Sequence, residues 1–130
     1  MKNPNDVAEA YLDVWNETDA SKRQTLIEQL WTPDVTYLDP MMQGRGHDEL
    51  NAMIGQAQLQ FPCLRFRRAG EGQAVGNHVR FSWHLAPADA EEGQALLAGG
   101  TDFCTLANDG RLKSACGFVD FFNAPQAEEN

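Results

Sequence analysis

"GGTDFCTLANDGRLKSACGFVDFF", residues 99–122, decides the fold. Two strand-like runs flank Asn108-Asp109-Gly110, a loop whose glycine suits a left-handed position, so the stretch reads as an antiparallel hairpin. In that register Leu106 faces Leu112 and Asp102 faces Cys116. Alternation along the first strand then puts Asp102 on the same face as Cys104 and Leu106, and a carboxylate points into apolar company. A bulge or register slip would instead turn it outward as an ordinary polar residue.

The segments upstream extend this hairpin into a meander. Strand-like runs near 63–70 and 74–86 precede those near 95–108 and 111–122, separated by "GEG", "PADAEEG" and "NDG". On the second run Val79, Phe81, Trp83 and Leu85 share an apolar face, leaving His78, Arg80, Ser82 and His84 outside. The first half of the chain reads differently. Asn3 caps a helix that has Pro4 at its first position, and Val7, Tyr11, Val14 and Trp15 recur at helical spacing. Ser21 and Gln24 form a capping-box pattern for a second helix carrying Leu26, Ile27, Leu30 and Trp31, ended by Pro33. Residues 34–38 alternate as a strand, and a third helix spans His47 to Gln60 with Leu50, Met53, Ile54 and Ala57 on its stripe. Three N-terminal helices followed by an antiparallel meander predict one α+β domain over residues 1–130. Its helices pack into a curved, mostly antiparallel sheet that forms a cone.

The strand at 34–38 ends in "YLDP", and Asp39 has two readings. An aspartate before a proline is a common turn device, its side chain bonding nearby backbone amides. It is also a second carboxylate aimed at the same interior as Asp102. Tyr11 is likewise open, as a core residue with its hydroxyl at a polar partner or as part of a site.

Composition bounds what such a site can do. The chain has 130 residues, 42% hydrophobic, and a formal net charge of -9, an acidic field that disfavours nucleic acid and anionic membrane surfaces as partners. No apolar run approaches a membrane span, and "MKNPNDVAEA" lacks the apolar core of a signal peptide, so a soluble cytoplasmic protein is expected. Cys63, Cys104 and Cys116 form no C-x-x-C pair and are expected to be reduced, small, buried hydrophobes. "GRG" at 44–46 fails as a phosphate loop, because Glu49 replaces the third glycine and two acids occupy the helix start. His78 and His84 lie about 20 Å apart along a strand, too far for one metal. No metal and no cofactor are implied, and no G-x-S-x-G element supports a serine hydrolase.

The order of elements, "YLDP", "GRGHDEL" leading into the third helix, and "GGTDF" followed by "NDGRL" resemble the nuclear transport factor 2-like superfamily in its SnoaL-like polyketide cyclase branch. The resemblance spans nearly the whole chain and extends to ketosteroid isomerases. It implies that Asp39 falls at the isomerases' general base, Asp102 at their protonated oxyanion-hole acid and Tyr11 at their oxyanion-hole tyrosine. In SnoaL-like cyclases the position of Asp102 carries the acid/base residue. The implied activity is cofactor-free proton transfer on an enolisable, apolar carbonyl compound, as an isomerase or a cyclase; the alternative is a protein of the same fold that only binds a small hydrophobic ligand. The epoxide hydrolases of the superfamily need an arginine beside two aspartates, and Arg80 falls by parity on the outer face. Trp15, Met53, Phe81, Trp83, Cys116 and Phe118 are expected to wall the pocket. The outer sheet face, with Phe103, Val119 and Phe121, is more apolar than a solvated face, and the superfamily commonly pairs there, so a homodimer is predicted.

Overall fold

A computed structural model of the chain describes residues 3–123, and the polar tail read after Asn123 lies outside the described residues. The elements run α1 (Pro4–Asn16), α2 (Ala20–Leu30), β1 (Trp31–Leu38), β2 (Gln43–Arg45), α3 (Gly46–Gln60), β3 (Leu64–Val75), β4 (His78–Pro87), β5 (Ala98–Leu106) and β6 (Leu112–Phe122). The six strands form one curved, open sheet in the order β2-β1-β6-β5-β4-β3. Only the β1–β6 pairing is parallel, with Tyr37 beside Ala115 and Leu38 beside Cys116.

Local chemistry accounts for most element ends. The Asn3 side chain accepts the Asn5 amide at 2.8 Å and Pro4 opens α1. Helix α2 begins earlier than the Ser21–Gln24 pattern indicates, because Asp19 is the cap and accepts the amides of both Ser21 and Lys22. It also ends earlier than Pro33. Trp31 is extended (φ -115°, ψ 146°) and starts β1, where its fully buried indole packs against Tyr11 with ring centroids 5.3 Å apart. Proline disfavours helix in the residue before it, and burial of Trp31 moves the boundary one residue further back. Strand β2 has no signal of its own. It exists because the four residues Asp39–Met42 close a tight turn that lays Gln43–Arg45 against β1, with Leu38 opposite Gln43.

"GEG" is a bulge within β3 and not a turn. Gly70 takes φ +79° there, the pairing with β4 shifts between Ala69 and Gln73, and Gly72 donates its amide to Asn5 Oδ1 at 2.7 Å. The true β3–β4 turn lies at Gly76-Asn77, with Gly76 at φ +57°. "NDG" turns as expected, with Gly110 at φ +89° and Leu106 opposite Leu112. A shift between Thr105 and Leu106 then slides the rest of the hairpin by one residue, so Asp102 faces Gly117 and Cys116 faces Phe103. The same slide brings Val119 to the inner side in place of the outer one, and a second shift, between Gly99 and Gly100, sets Phe121 opposite Gly99 on the outer face.

The core fills the concave side. Tyr11, Ile27, Trp31, Leu50, Ile54, Phe81 and Leu112 are all essentially buried, drawn from all three helices and three strands. Of the cysteines, Cys104 is buried and Cys116 partly so, whereas Cys63 is exposed at a turn with φ +63°, contrary to its reading as a core residue. Among the described residues no helix is long and apolar enough to cross a membrane.

Candidate active site

The core does not fill the whole concavity. Between α1, the end of α3 and the inner faces of β1, β4, β5 and β6 lies a cavity of about 350 Å³, open on one side. Its walls are almost wholly apolar: Leu12 and Trp15 from α1, Phe66 from β3, Trp83 and Leu85 from β4. Met41, Phe61, Val119 and Phe122 also border it.

Asp102 reaches this cavity from β5 and is only 4% exposed. Its Oδ1 accepts the Trp83 indole N–H at 2.9 Å, and its Oδ2 accepts a very short bond from the Tyr11 hydroxyl. Gly117 makes the room. A Cβ at that position would stand 2.9 Å from Asp102 Oδ1 and 3.4 Å from Asp39 Cβ, so the missing side chain leaves the gap that the Asp102 carboxylate fills beside the stem of Asp39. Burial is the largest influence on Asp102 and lifts its pKa to about 6 from 3.8. The bonds from Tyr11 and Trp83 hold it down, and the charges of Asp39 and Asp120 push it up. Burial and the neighbouring Asp102 charge raise the Tyr11 phenol well above its usual value, so it stays a hydrogen-bond donor.

Asp39 stands at the β1–β2 turn and serves both readings. Its Oδ1 accepts the amides of Met41 and Met42 at 2.8 and 2.9 Å, which is the turn device. Its Oδ2 accepts the Tyr37 hydroxyl at 2.6 Å on the cavity side. Tyr37 is two residues before Asp39 on the same strand face, a parity visible in "YLD" but unused in the sequence reading. Burial and the Asp102 and Asp39 charges raise its phenol too. Two carboxylates, each bonded by a tyrosine hydroxyl, therefore share one cavity.

Of the residues expected to form the site, Tyr11, Trp15, Asp39, Trp83, Asp102 and Phe118 line the cavity. Met53, Phe81 and Cys116 do not. Met53 is spent in the core, and Phe81 lies beneath the site with its ring 4.9 Å from that of Tyr11. Cys116 loses its place to Gly117 through the hairpin's register shift. Phe118 borders the cavity, but the same register shift turns its half-exposed ring to the outer face, edge-on to Phe103 at 5.7 Å.

A family model described as a SnoaL-like domain matches residues 8–115. A candidate isomerase of the SnoaL-like family from Agrobacterium tumefaciens strain C58 is 40% identical, covering 93% of this chain and all of that one, with a TM-score of 0.86. A candidate SnoaL-like polyketide cyclase from Jannaschia sp. CCS1 is 17% identical with a TM-score of 0.66, covering 92% of both chains. A candidate polyketide cyclase from Sinorhizobium meliloti is 13% identical with a TM-score of 0.64, covering 86% of this chain and 93% of its own. The last two likenesses speak to the fold alone. No curated protein matches the chain significantly. With most of its length matched by the family model and this 40% identical relative, the chain belongs to the SnoaL-like domain family.

Proposed function

We propose that this protein is a cofactor-free isomerase or cyclase that moves protons on an enolisable, apolar carbonyl compound. The observation that carries the reading is the pair Asp39 and Asp102 lining one apolar cavity on either side of Gly117, with Tyr11 bonded to Asp102. The ketone oxygen takes the place of one bond now made between Tyr11 and Asp102, and these two groups stabilise the enolate oxygen as it forms. Asp39, half-exposed near Met41, takes the proton from carbon and returns it at a second carbon, or gives it to the alkoxide oxygen formed when the enolate carbon attacks an internal carbonyl. The putting together of an apolar wall, a donor pair and a base needs no other group.

A second assignment has its own support. Both Asp102 oxygens accept hydrogen bonds, which is the behaviour of a carboxylate and suits Asp102 as the base. The two assignments have opposite pH signatures. If protonated Asp102 donates to the enolate, kcat/KM falls as pH rises through about 6; if Asp102 is the base, it rises over the same range. A non-catalytic ligand-binding role is tested with ketones in deuterated solvent. Exchange of α-protons that Asp39→Asn and Asp102→Asn each suppress supports catalysis, and its absence across a panel of cyclic and aryl ketones leaves binding alone.

We further infer a cytoplasmic homodimer paired through the outer sheet face. Three free thiols suit a reducing compartment, and Phe103 and Phe118 form an exposed aromatic pair on that face.

A further inference from the structure

The cavity is also marked by what balances its charge. Asp39 and Asp102 line it, and among the described residues no lysine, arginine or histidine does. Among the described residues the ion pairs are Arg68–Glu9 and Arg111–Asp109, so neither cavity carboxylate has a cationic partner. The groups facing Asp102 are Tyr11 from α1, Tyr37 from β1, Asp39 from the β1–β2 turn, Trp83 from β4 and Cys104 on its own strand, and the charge of Asp120 acts on it from the outer side of β6. None carries positive charge. Each Asp102 oxygen takes one hydrogen bond and keeps a second acceptor position. The rings of Tyr11, Trp15, Tyr37, Phe66 and Trp83 surround the same space, and aromatic faces attract cations.

We propose that this cavity binds lipophilic ammonium ions: an aryl or alicyclic amine in protonated form, its N–H group donated to the Asp102 or Asp39 carboxylate and its apolar body held among the aromatic walls. A neutral ligand leaves the paired carboxylates uncompensated, and an anion adds to their repulsion. An ammonium ion replaces the missing partner within a water-poor site, where opposite charges interact strongly. The inference stands independently of proton transfer at carbon, because it needs only the cavity, its rings and its unpaired negative charge. It predicts a charge preference, ammonium over neutral over anion, among ligands of one shape.

Three probes of one shape test it by calorimetry: 1-naphthylmethylamine, 1-naphthylmethanol and 1-naphthoate, each with two fused rings and a short arm that suit a cavity of about 350 Å³. At about pH 8 the amine should bind at least tenfold tighter than the alcohol, a gap of about 1.4 kcal/mol, and the naphthoate should bind more weakly than either. The amine's advantage should shrink as pH falls below about 6, where Asp102 takes up a proton. Asp102→Asn should flatten that pH dependence, and Asp39→Asn with Asp102→Asn should erase the preference itself. In the wild type, amine addition should also shift the indole N–H resonances of Trp15 and Trp83, a readout that needs no variant to fold. Equal affinities for amine and alcohol at about pH 8, a preference that survives the double substitution, or unmoved indole signals would each overturn the proposal. Amine binding without ketone proton exchange would retain this inference and sink the catalytic one; the reverse result would do the opposite.

Discussion

Asp39 divides its work between two oxygens, and that division can be tested. Asparagine keeps an oxygen for the amides of Met41 and Met42 but cannot take a proton from carbon, so Asp39→Asn should leave stability nearly unchanged and lower turnover by several orders of magnitude. Asp39→Ala removes the acceptor of both amides and should also cost roughly 1–3 kcal/mol in denaturant unfolding. Turnover that survives Asp39→Asn, with only the melting point lowered, would make the residue a turn former. Asp102 is tested through linkage. Its folded pKa of about 6 lies above the usual 3.8, so the folded state holds the proton more tightly and the protein loses stability as pH rises through this window. A rise of that size is worth on the order of 3 kcal/mol. Asp102→Asn should therefore match the wild type near pH 3.5 and overtake it by about pH 7, by less than that full amount because Asn accepts more weakly from Tyr11 and Trp83. A constant gap between the two across urea titrations from about pH 3.5 to 8 would sink the assignment of a raised pKa. The inward placement of Asp102 is legible because strand alternation survives a change of partner. The site's floor is not, since Gly117 takes its place only through a bulge that no local residue announces.

At the level of elements, the pair Gly99-Gly100 shows why β5 can cross the middle of the sheet. A Cβ on Gly99 would collide with the Phe121 ring, and one on Gly100 with the Trp83 indole and the Phe118 carbonyl. The first lies on the outer face and the second on the cavity face, so the two glycines admit a large ring on each side. Gly100→Ala should displace Trp83, the donor to Asp102, and cost roughly 1–3 kcal/mol or more. Loss of the Trp83 indole shift in NMR alongside a lower unfolding midpoint would bear this out, and wild-type values for both would refute it. Hairpins were legible where a turn closes on itself, as at Asn108-Asp109-Gly110. They were not where a glycine serves a distant contact. Gly70 and Gly72 look like a turn but let β3 bend over the start of α1, while the real turn at Gly76-Asn77 has only one glycine to mark it. Strand β2 and the early end of α2 follow the same rule, because partners far in sequence decide them.

For the whole molecule, the proposed dimer sets an apolar patch against a large like charge. Phe103 and Phe118 are 46% and 51% exposed and lie edge-on to each other, with Phe121 against His84 on the same face. Beside them runs a polar ladder, Ser82 to Thr101 to Asp120, so the face is a mixed surface of the kind that pairs reversibly and not a core cut in half. Each copy carries a formal charge of -9, and bringing two together costs electrostatic energy that salt screens. Light scattering should therefore give twice 14.4 kDa at micromolar concentration, and the dimer should tighten between about 0.05 and 0.5 M salt as the Debye length shortens. Phe103→Asp puts a further charge at the centre of the patch while its side chain stays clear of the cavity, so it should yield the monomer with an unchanged circular dichroism spectrum and unchanged ligand binding. A wild-type mass of 14.4 kDa in high salt would remove the dimer. A Phe103→Asp protein that still pairs would move the interface off this face.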